Sequence, residues 1–137
     1  SGKIAWLIVQ KRNPSTGSGQ VKTAQDLVKI IEEAYKYRRG KIHPATKVFQ
    51  ALRIAVNDEL RVLKNELPEA VEALNSGGRL SVITFHSLED RIVKHYFKGQ
   101  DGKTLKIIYK KPKIAAREEC AKNPRARSAK LRTIEKI

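Results

Sequence analysis

A histidine, a hydroxyl and two acids follow one short apolar segment, and they are the residues of this chain best suited to chemistry. The segment Gly77–Asp90 reads GGRLSVITFHSLED, and its polar end holds His86, Ser87, Glu89 and Asp90. In open α/β sheets, ligands bind beyond the carboxyl ends of the strands. We therefore expect a functional site here, with His86 and Glu89 as catalytic candidates and Ser87 as a substrate contact.

Three kinds of site fit this segment to different degrees. A hydrolytic Ser-His-Asp arrangement is disfavoured, because Ser87 is not in a G-x-S-x-G turn and adjacent residues rarely reach triad geometry. A metal site is disfavoured, because His43 and His95 lack ligand spacing with an acid. Ser87 and Asp90 fit a helix cap equally well. The remaining reading is a polar rim for a planar substrate, in which His86 has no capping role.

The elements that must position this site alternate between helix and strand. The glycine pair before the segment predicts the end of a helix. A buried strand is predicted over 79–85, a helix capped by Ser87 follows, and a second strand is predicted over 104–109. This order predicts an α/β fold. The apolar residues of the helix recur at helical spacing and are Ile92, Val93, Tyr96 and Phe97.

The upstream half of the chain is predicted to be helical. Thr23 and Asp26 form a capping-box pattern at the start of one helix. A long helix begins near Thr46, after the break at Pro44, with Glu59 off its apolar stripe and a kink or restart at Pro68. The loop at 13–20 contains a G-x-G pair, but no strand leads into it, so a phosphate-binding role is disfavoured.

The net charge of +15 on 137 residues indicates a polyanionic partner, most simply nucleic acid. An anionic membrane and a merely solvated basic surface are the alternatives. Residues 98–137 alone carry 13 basic and 4 acidic side chains, and 123–132 look like a basic arm rather than core. The tyrosines and basic residues at 35–41 fit two roles equally well. The cations suit the negative end of a helix dipole, and the cluster could also stack on RNA and neutralise its phosphates.

The single cysteine, Cys120, excludes an internal disulfide and fits a reducing compartment. No run of about 18 apolar residues and no charged-then-apolar leader is present. We therefore expect a soluble, cytoplasmic protein with no membrane partner.

Three segments resemble the bacterial ribosomal RNA small-subunit methyltransferase H family, also called MraW. They are HPATKVFQALRIAVNDEL (43–60), GGRLSVITFHSLEDRIVKHYF (77–97) and KNPRARSAKLR (122–132), and they occur in the family's order with similar spacing. The resemblance implies an S-adenosylmethionine-dependent enzyme that methylates the exocyclic N4 of a cytidine in 16S ribosomal RNA. It also implies the carboxyl-terminal portion of a Rossmann-like sheet plus helices from an inserted helical subdomain.

The family's donor-binding segments, a glycine-rich loop above all, have no counterpart in this sequence. The resemblance therefore implies a carboxyl-terminal half, with residues 1–42 ending the helical insertion and residues 43–137 completing the methyltransferase domain with its basic arm. S-adenosylmethionine would then be the cofactor of the complete enzyme, and no residue here is assigned to it or to a metal. The alternative is a non-catalytic RNA-binding module that reuses the half-fold.

Further candidates line the pocket or hold RNA. In the family, the segment matched by residues 43–60 adjoins the active site. The resemblance therefore implies that the pocket wall opposite His86 is lined by His43, Thr46, Gln50 and Arg53, although Arg53 fits a solvated helix surface as well. The basic arm assigns phosphate contacts to Arg125, Arg127, Lys130 and Arg132. An incomplete sheet leaves a strand edge uncovered, so we also expect a homodimer formed by strand exchange.

Overall fold

The computed structural model describes residues 2–12, 21–35 and 43–137. The chain divides into two compact units, Ser1–Asn57 and Asp58–Ile137. The predicted domain boundary between residues 42 and 43 borders a stretch outside the described residues and stays a prediction, whereas packing divides the chain after Asn57. The G-x-G loop at 13–20 and residues 36–41 of the basic cluster also lie outside the described residues.

The first unit contains three helices in its described part, α1 (Gly2–Arg12), α2 (Ala24–Ala34) and α3 (Pro44–Asn57). The predicted capping box is confirmed at the start of α2. The Thr23 hydroxyl accepts the Asp26 backbone N–H at 3.2 Å, and the Asp26 carboxylate accepts the Thr23 N–H at 2.9 Å. The buried side chains of Ile4, Ile31 and Ala45 form the core of this unit.

The long helix predicted from Thr46 ends earlier than Pro68. Asp58 adopts a left-handed conformation with φ 53°, which separates α3 from α4 (Glu59–Glu72). Pro68 lies inside α4 without ending it. Proline removes one backbone hydrogen bond there, but Leu67 and Val71 on either side are buried, and their packing holds the helix together.

The second unit contains a four-stranded antiparallel sheet. Strand β4 (Lys130–Lys136) is its centre and pairs with β1 (Arg79–Thr84) along one edge. Along its other edge it pairs with β2 (Leu105–Ile107) and β3 (Lys113–Ile114). The two predicted strands are thereby confirmed, but the prediction that the first is buried is wrong, because Ile83 in β1 and Phe85 just after it are more than half exposed. The predicted α/β class holds as helices packed on an antiparallel sheet.

Helices α4 and α5 (Ser87–Gln100) pack together and cover the sheet. The buried residues of this core are Leu67, Val71, Val93, Phe97, Leu105 and Ile134. The turn before β1 needs its glycines, since Gly77 has φ 80° and a Cβ on Gly78 would lie 2.8 Å from the Asn75 carbonyl oxygen. The described residues contain no helix long and apolar enough to cross a membrane.

The prediction of a basic arm over 123–132 rather than core is wrong for its last three residues. Residues 130–132 begin the central strand, β4. Their basic composition indicated a solvated segment, but the Asp90 carboxylate accepts hydrogen bonds from both Lys130 and Arg132. The rest of the arm contains a 3-10 helix, Pro124–Ser128, which is capped by the Asn123 side chain and follows α6 (Arg117–Lys122).

Candidate functional site

The polar residues after β1 form the start of α5, and the cap lies one residue earlier than predicted. His86, not Ser87, is the N-cap, and its partner three residues on is Glu89, not Asp90. The Nδ1 atom of His86 accepts the Glu89 N–H at 3.3 Å, and Glu89 Oε2 accepts the backbone N–H groups of Phe85 at 2.8 Å and His86 at 3.2 Å. The expectation that His86 has no capping role is therefore wrong.

This cap determines where the proton of a neutral His86 lies. Because Nδ1 accepts a hydrogen bond, Nε2 carries the hydrogen. Nε2 is buried and has no well-aligned acceptor among the described residues, although Glu89 Oε1 lies 3.1 Å away. The imidazole therefore presents a buried N–H donor beside a carboxylate, in a pair whose side chains are only 11% and 20% exposed.

Glu59, from the first turn of α4, completes the cluster. One oxygen of Glu59, one nitrogen of His86 and one oxygen of Glu89 lie within 4.8 Å of one another, a spacing that fits a metal ion. A metal on His86 would need the Nε2 lone pair and a hydrogen on Nδ1, and the helix cap already uses Nδ1 as an acceptor. The cluster is therefore better described as an imidazole N–H beside the Glu89 carboxylate, with the Glu59 carboxylate close to both residues.

Sequence reasoning did not place Glu59 at the site. It lies 27 positions before His86, and its position off the apolar stripe of the predicted helix indicates only a solvated face. Only the packing of α4 against α5 brings the two residues together. No local motif signals such a contact.

Asp90 belongs to a second polar cluster that ties α5 to the central strand. Its carboxylate accepts hydrogen bonds from Arg132 Nε at 2.8 Å and Nη2 at 3.3 Å, and from Lys130 Nζ at 3.2 Å. The Asp90 and Arg132 side chains are 12% and 11% exposed. Arg132 beside the carboxylate lowers the pKa of Asp90 below its usual value, in spite of the opposing effect of burial.

The predicted RNA contacts fall into different environments. Arg125 and Arg127 are exposed on the 3-10 helix, and Ser87 is exposed at the first residue of α5. Lys130 is about two-fifths exposed in addition to its contact with Asp90. Arg132, by contrast, has a buried structural partner. Whether any of these residues touches RNA stays a prediction.

The four candidates of the first unit lie at and after the start of α3. His43 Nδ1 accepts the Ala45 N–H at 3.2 Å, and its Nε2 lies 3.2 Å from Glu32 Oε1. Thr46, Gln50 and Arg53 follow at helical spacing on one side of α3. Their predicted place opposite His86 relates the two units and stays a prediction.

The comparisons with known proteins agree over the whole chain. A family model described as the MraW methylase family matches residues 1–137. The chain is also similar to proteins called ribosomal RNA small subunit methyltransferase H. Its sequence is 55% identical to the one from Rippkaea orientalis, 50% to the one from Synechocystis sp. and 48% to the one from Kosmotoga olearia. These alignments cover 98–100% of this chain but only 42–44% of each relative, so the chain spans less than half of their length. The chain belongs to the MraW methylase family.

Proposed function

We propose that this chain is the carboxyl-terminal part of an S-adenosylmethionine-dependent methyltransferase that acts on the N4 atom of a cytidine in 16S ribosomal RNA. The observation that carries the proposal is the match of all 137 residues to the family, at about 50% identity to relatives named as ribosomal RNA methyltransferases. The basic composition fits an RNA substrate.

The described residues do not fit the methyl donor. The glycine pair before β1 is used by its own turn, because the Gly77 N–H donates to the Lys136 carbonyl at 2.7 Å and Gly78 packs against Asn75. The turn therefore accounts for both glycines without a ligand. We therefore assign the donor to the part of the family protein that this chain does not span, and we derive no step through it.

The contribution of this part is to hold the base. The exocyclic amine of cytosine is a weak nucleophile whose hydrogens need acceptors, and it is reachable only when the base is unpaired or flipped out. Glu89 Oε1 is such an acceptor, since the cap uses only Oε2 of Glu89, and the Glu59 carboxylate lies within 4.8 Å of the Glu89 carboxylate. In this proposal His86 orients these carboxylates or meets the base directly through its Nε2–H.

RNA outside the pocket is held through phosphates. We propose Arg125, Arg127 and Lys130 as these contacts, because their side chains reach solvent. Arg132 is less suited than predicted, because Asp90 already neutralises its buried guanidinium.

The test is a chimera in which this chain replaces the matching part of the Rippkaea orientalis relative, to which it is 55% identical. The chimera is incubated with labelled S-adenosylmethionine and small-subunit RNA, and we expect label in the RNA. A folded chimera that binds RNA but transfers no methyl group would contradict the proposal and favour the non-catalytic RNA-binding module.

The chimera also separates the two roles of His86. Asparagine caps helices well, so His86→Asn retains the cap and removes the imidazole. If the imidazole acts on the base, we expect His86→Asn to lower kcat/KM by roughly 10- to 100-fold without a loss of stability. Unchanged kcat/KM would limit His86 to its cap.

A further inference from the structure

The outer surface of α5 carries a row of basic side chains that the proposed site does not use. Arg91, Lys94, His95 and Lys98 occur at spacings of three and four residues, so they lie along one face of the helix. All four are exposed. Within the part of the chain that the structure describes, none of them forms an ion pair. At 1.5 Å per residue, Arg91 and Lys98 lie about 10 Å apart along the helix axis.

A groove of about 380 Å³ runs beside this row, between α4 and α5. Its residues are Lys64, Leu67, Arg91, Ile92, His95 and Tyr96. The floor is apolar and aromatic, and the rim residues that the structure describes carry nitrogen-bearing side chains and no carboxylate. Burial raises the pKa of the Tyr96 hydroxyl above its ordinary value.

The other flank of the row is also basic. A smaller hollow of about 80 Å³ is lined there by Lys94, Lys98 and Lys110, together with the Tyr109 ring. Lys113 lies 4.6 Å from the centre of that ring. Among the described residues, Lys64 and Arg91 on one side of α5 and Lys94, Lys98 and Lys110 on the other form no ion pair, and aromatic rings lie among them. Unpaired cations among stacking rings complement a polyanion that carries flat bases.

We propose that the α5 row, defined as Arg91, Lys94 and Lys98 with the α4–α5 groove beside it, binds single-stranded RNA. Phosphates contact the row, and a base enters the groove over Tyr96 and Ile92. This surface is separate from the His86 cluster, so it holds RNA flanking the base that reacts. The choice of RNA as the polyanion rests on the proposed function.

The experiment measures binding of a fluorescein-labelled, unstructured 20-nucleotide RNA to the full chain by anisotropy at several salt concentrations. The row variant is Arg91→Gln/Lys94→Gln/Lys98→Gln. Each phosphate contact to a single strand contributes about 0.7 to the salt slope, so we expect a decrease of up to about 2 and an affinity roughly tenfold lower or more. A control variant of equal charge change, Lys3→Gln/Lys22→Gln/Lys29→Gln, uses exposed lysines of the other unit.

Tyr96→Leu tests the base contact separately, since it keeps an apolar side chain and removes the ring. We expect it to weaken binding by roughly fivefold or more without changing the salt slope. Circular dichroism monitors the fold of each variant, and the row variant alters only exposed positions.

Two results would overturn the proposal. One is a row variant that binds the RNA as the control variant does. The other is a dimer of the wild-type chain that the row variant dissolves without any change in RNA binding, which would assign the groove to a second copy. Methyl transfer by the chimera remains a separate measurement, so failure of the α5 row does not contradict the proposed function.

Discussion

Removing the charge of Asp90 tests how the fold accommodates two cations in its central strand. Asp90→Asn keeps the size of the side chain but leaves Arg132, whose side chain is 11% exposed, without its counter-charge. Hydrogen bonds to charged groups contribute about 1.5–3 kcal/mol each, and asparagine retains one acceptor oxygen. Lys130 is about two-fifths exposed and regains hydration. We therefore expect the free energy of unfolding to fall by about 2–3 kcal/mol.

Urea unfolding followed by circular dichroism measures this change as a shift in midpoint at constant m. The control is Glu118→Gln, an exposed acid in the first turn of α6, for which we expect a change within about 0.5 kcal/mol. Replacing both partners with apolar residues, Asp90→Leu/Arg132→Met, should recover much of the loss. An Asp90→Asn variant as stable as the control would refute a structural role for the pair.

The same cluster predicts the direction of the pH dependence. The pKa of Asp90 is lower in the folded chain than its ordinary value of 3.8. Its contribution to stability is therefore fully present above pH 3.8 and is lost as the pH falls through the folded-state pKa. The stability difference between wild type and Asp90→Asn should narrow in that acidic range, and a constant difference would show that Asp90 is not the titrating group.

Two further pairs of variants test the turns at either end of β1. His86→Ala removes the cap of α5 and should destabilise the chain by about 1 kcal/mol, whereas His86→Asn should not, and equal urea midpoints for the two variants would contradict the capping geometry. Gly78→Ala places a Cβ 2.8 Å from a backbone oxygen and should cost at least about 1 kcal/mol, whereas Gly99→Ala in α5 meets nothing within 4 Å and should be neutral or stabilising by about 0.4–1 kcal/mol. A Gly78→Ala variant that unfolds at the Gly99→Ala midpoint would contradict the turn.

Local patterns predicted most of the elements. A short apolar run predicted β1, and the helical spacing of apolar residues predicted α5, because both elements pack apolar side chains against a single core. The capping box at Thr23 was also predictable, because a cap is a contact between residues three positions apart in the sequence.

The features that the sequence patterns did not predict depend mainly on contacts between residues far apart in the chain. Residues 130–132 belong to a segment that resembles a solvated arm by composition, and pairing with strands far away in the sequence places them in the central strand, where Arg132 contacts Asp90, 42 positions away. Glu59 reaches His86 through helix packing alone. Asp58 separates two helices by its left-handed conformation, and the sequence gives no sign of this break as clear as a proline would be. The predicted self-association by strand exchange stays a prediction.

The most direct test of the central claim is the identity of the nucleoside that the chimera produces. Small-subunit RNA from cells lacking the endogenous enzyme is treated with the chimera and S-adenosylmethionine, digested to nucleosides and analysed by mass spectrometry against standards. The proposed function predicts one new cytidine derivative that carries its methyl group on N4. A methyl group on carbon 5, on the ribose or on another base would contradict it.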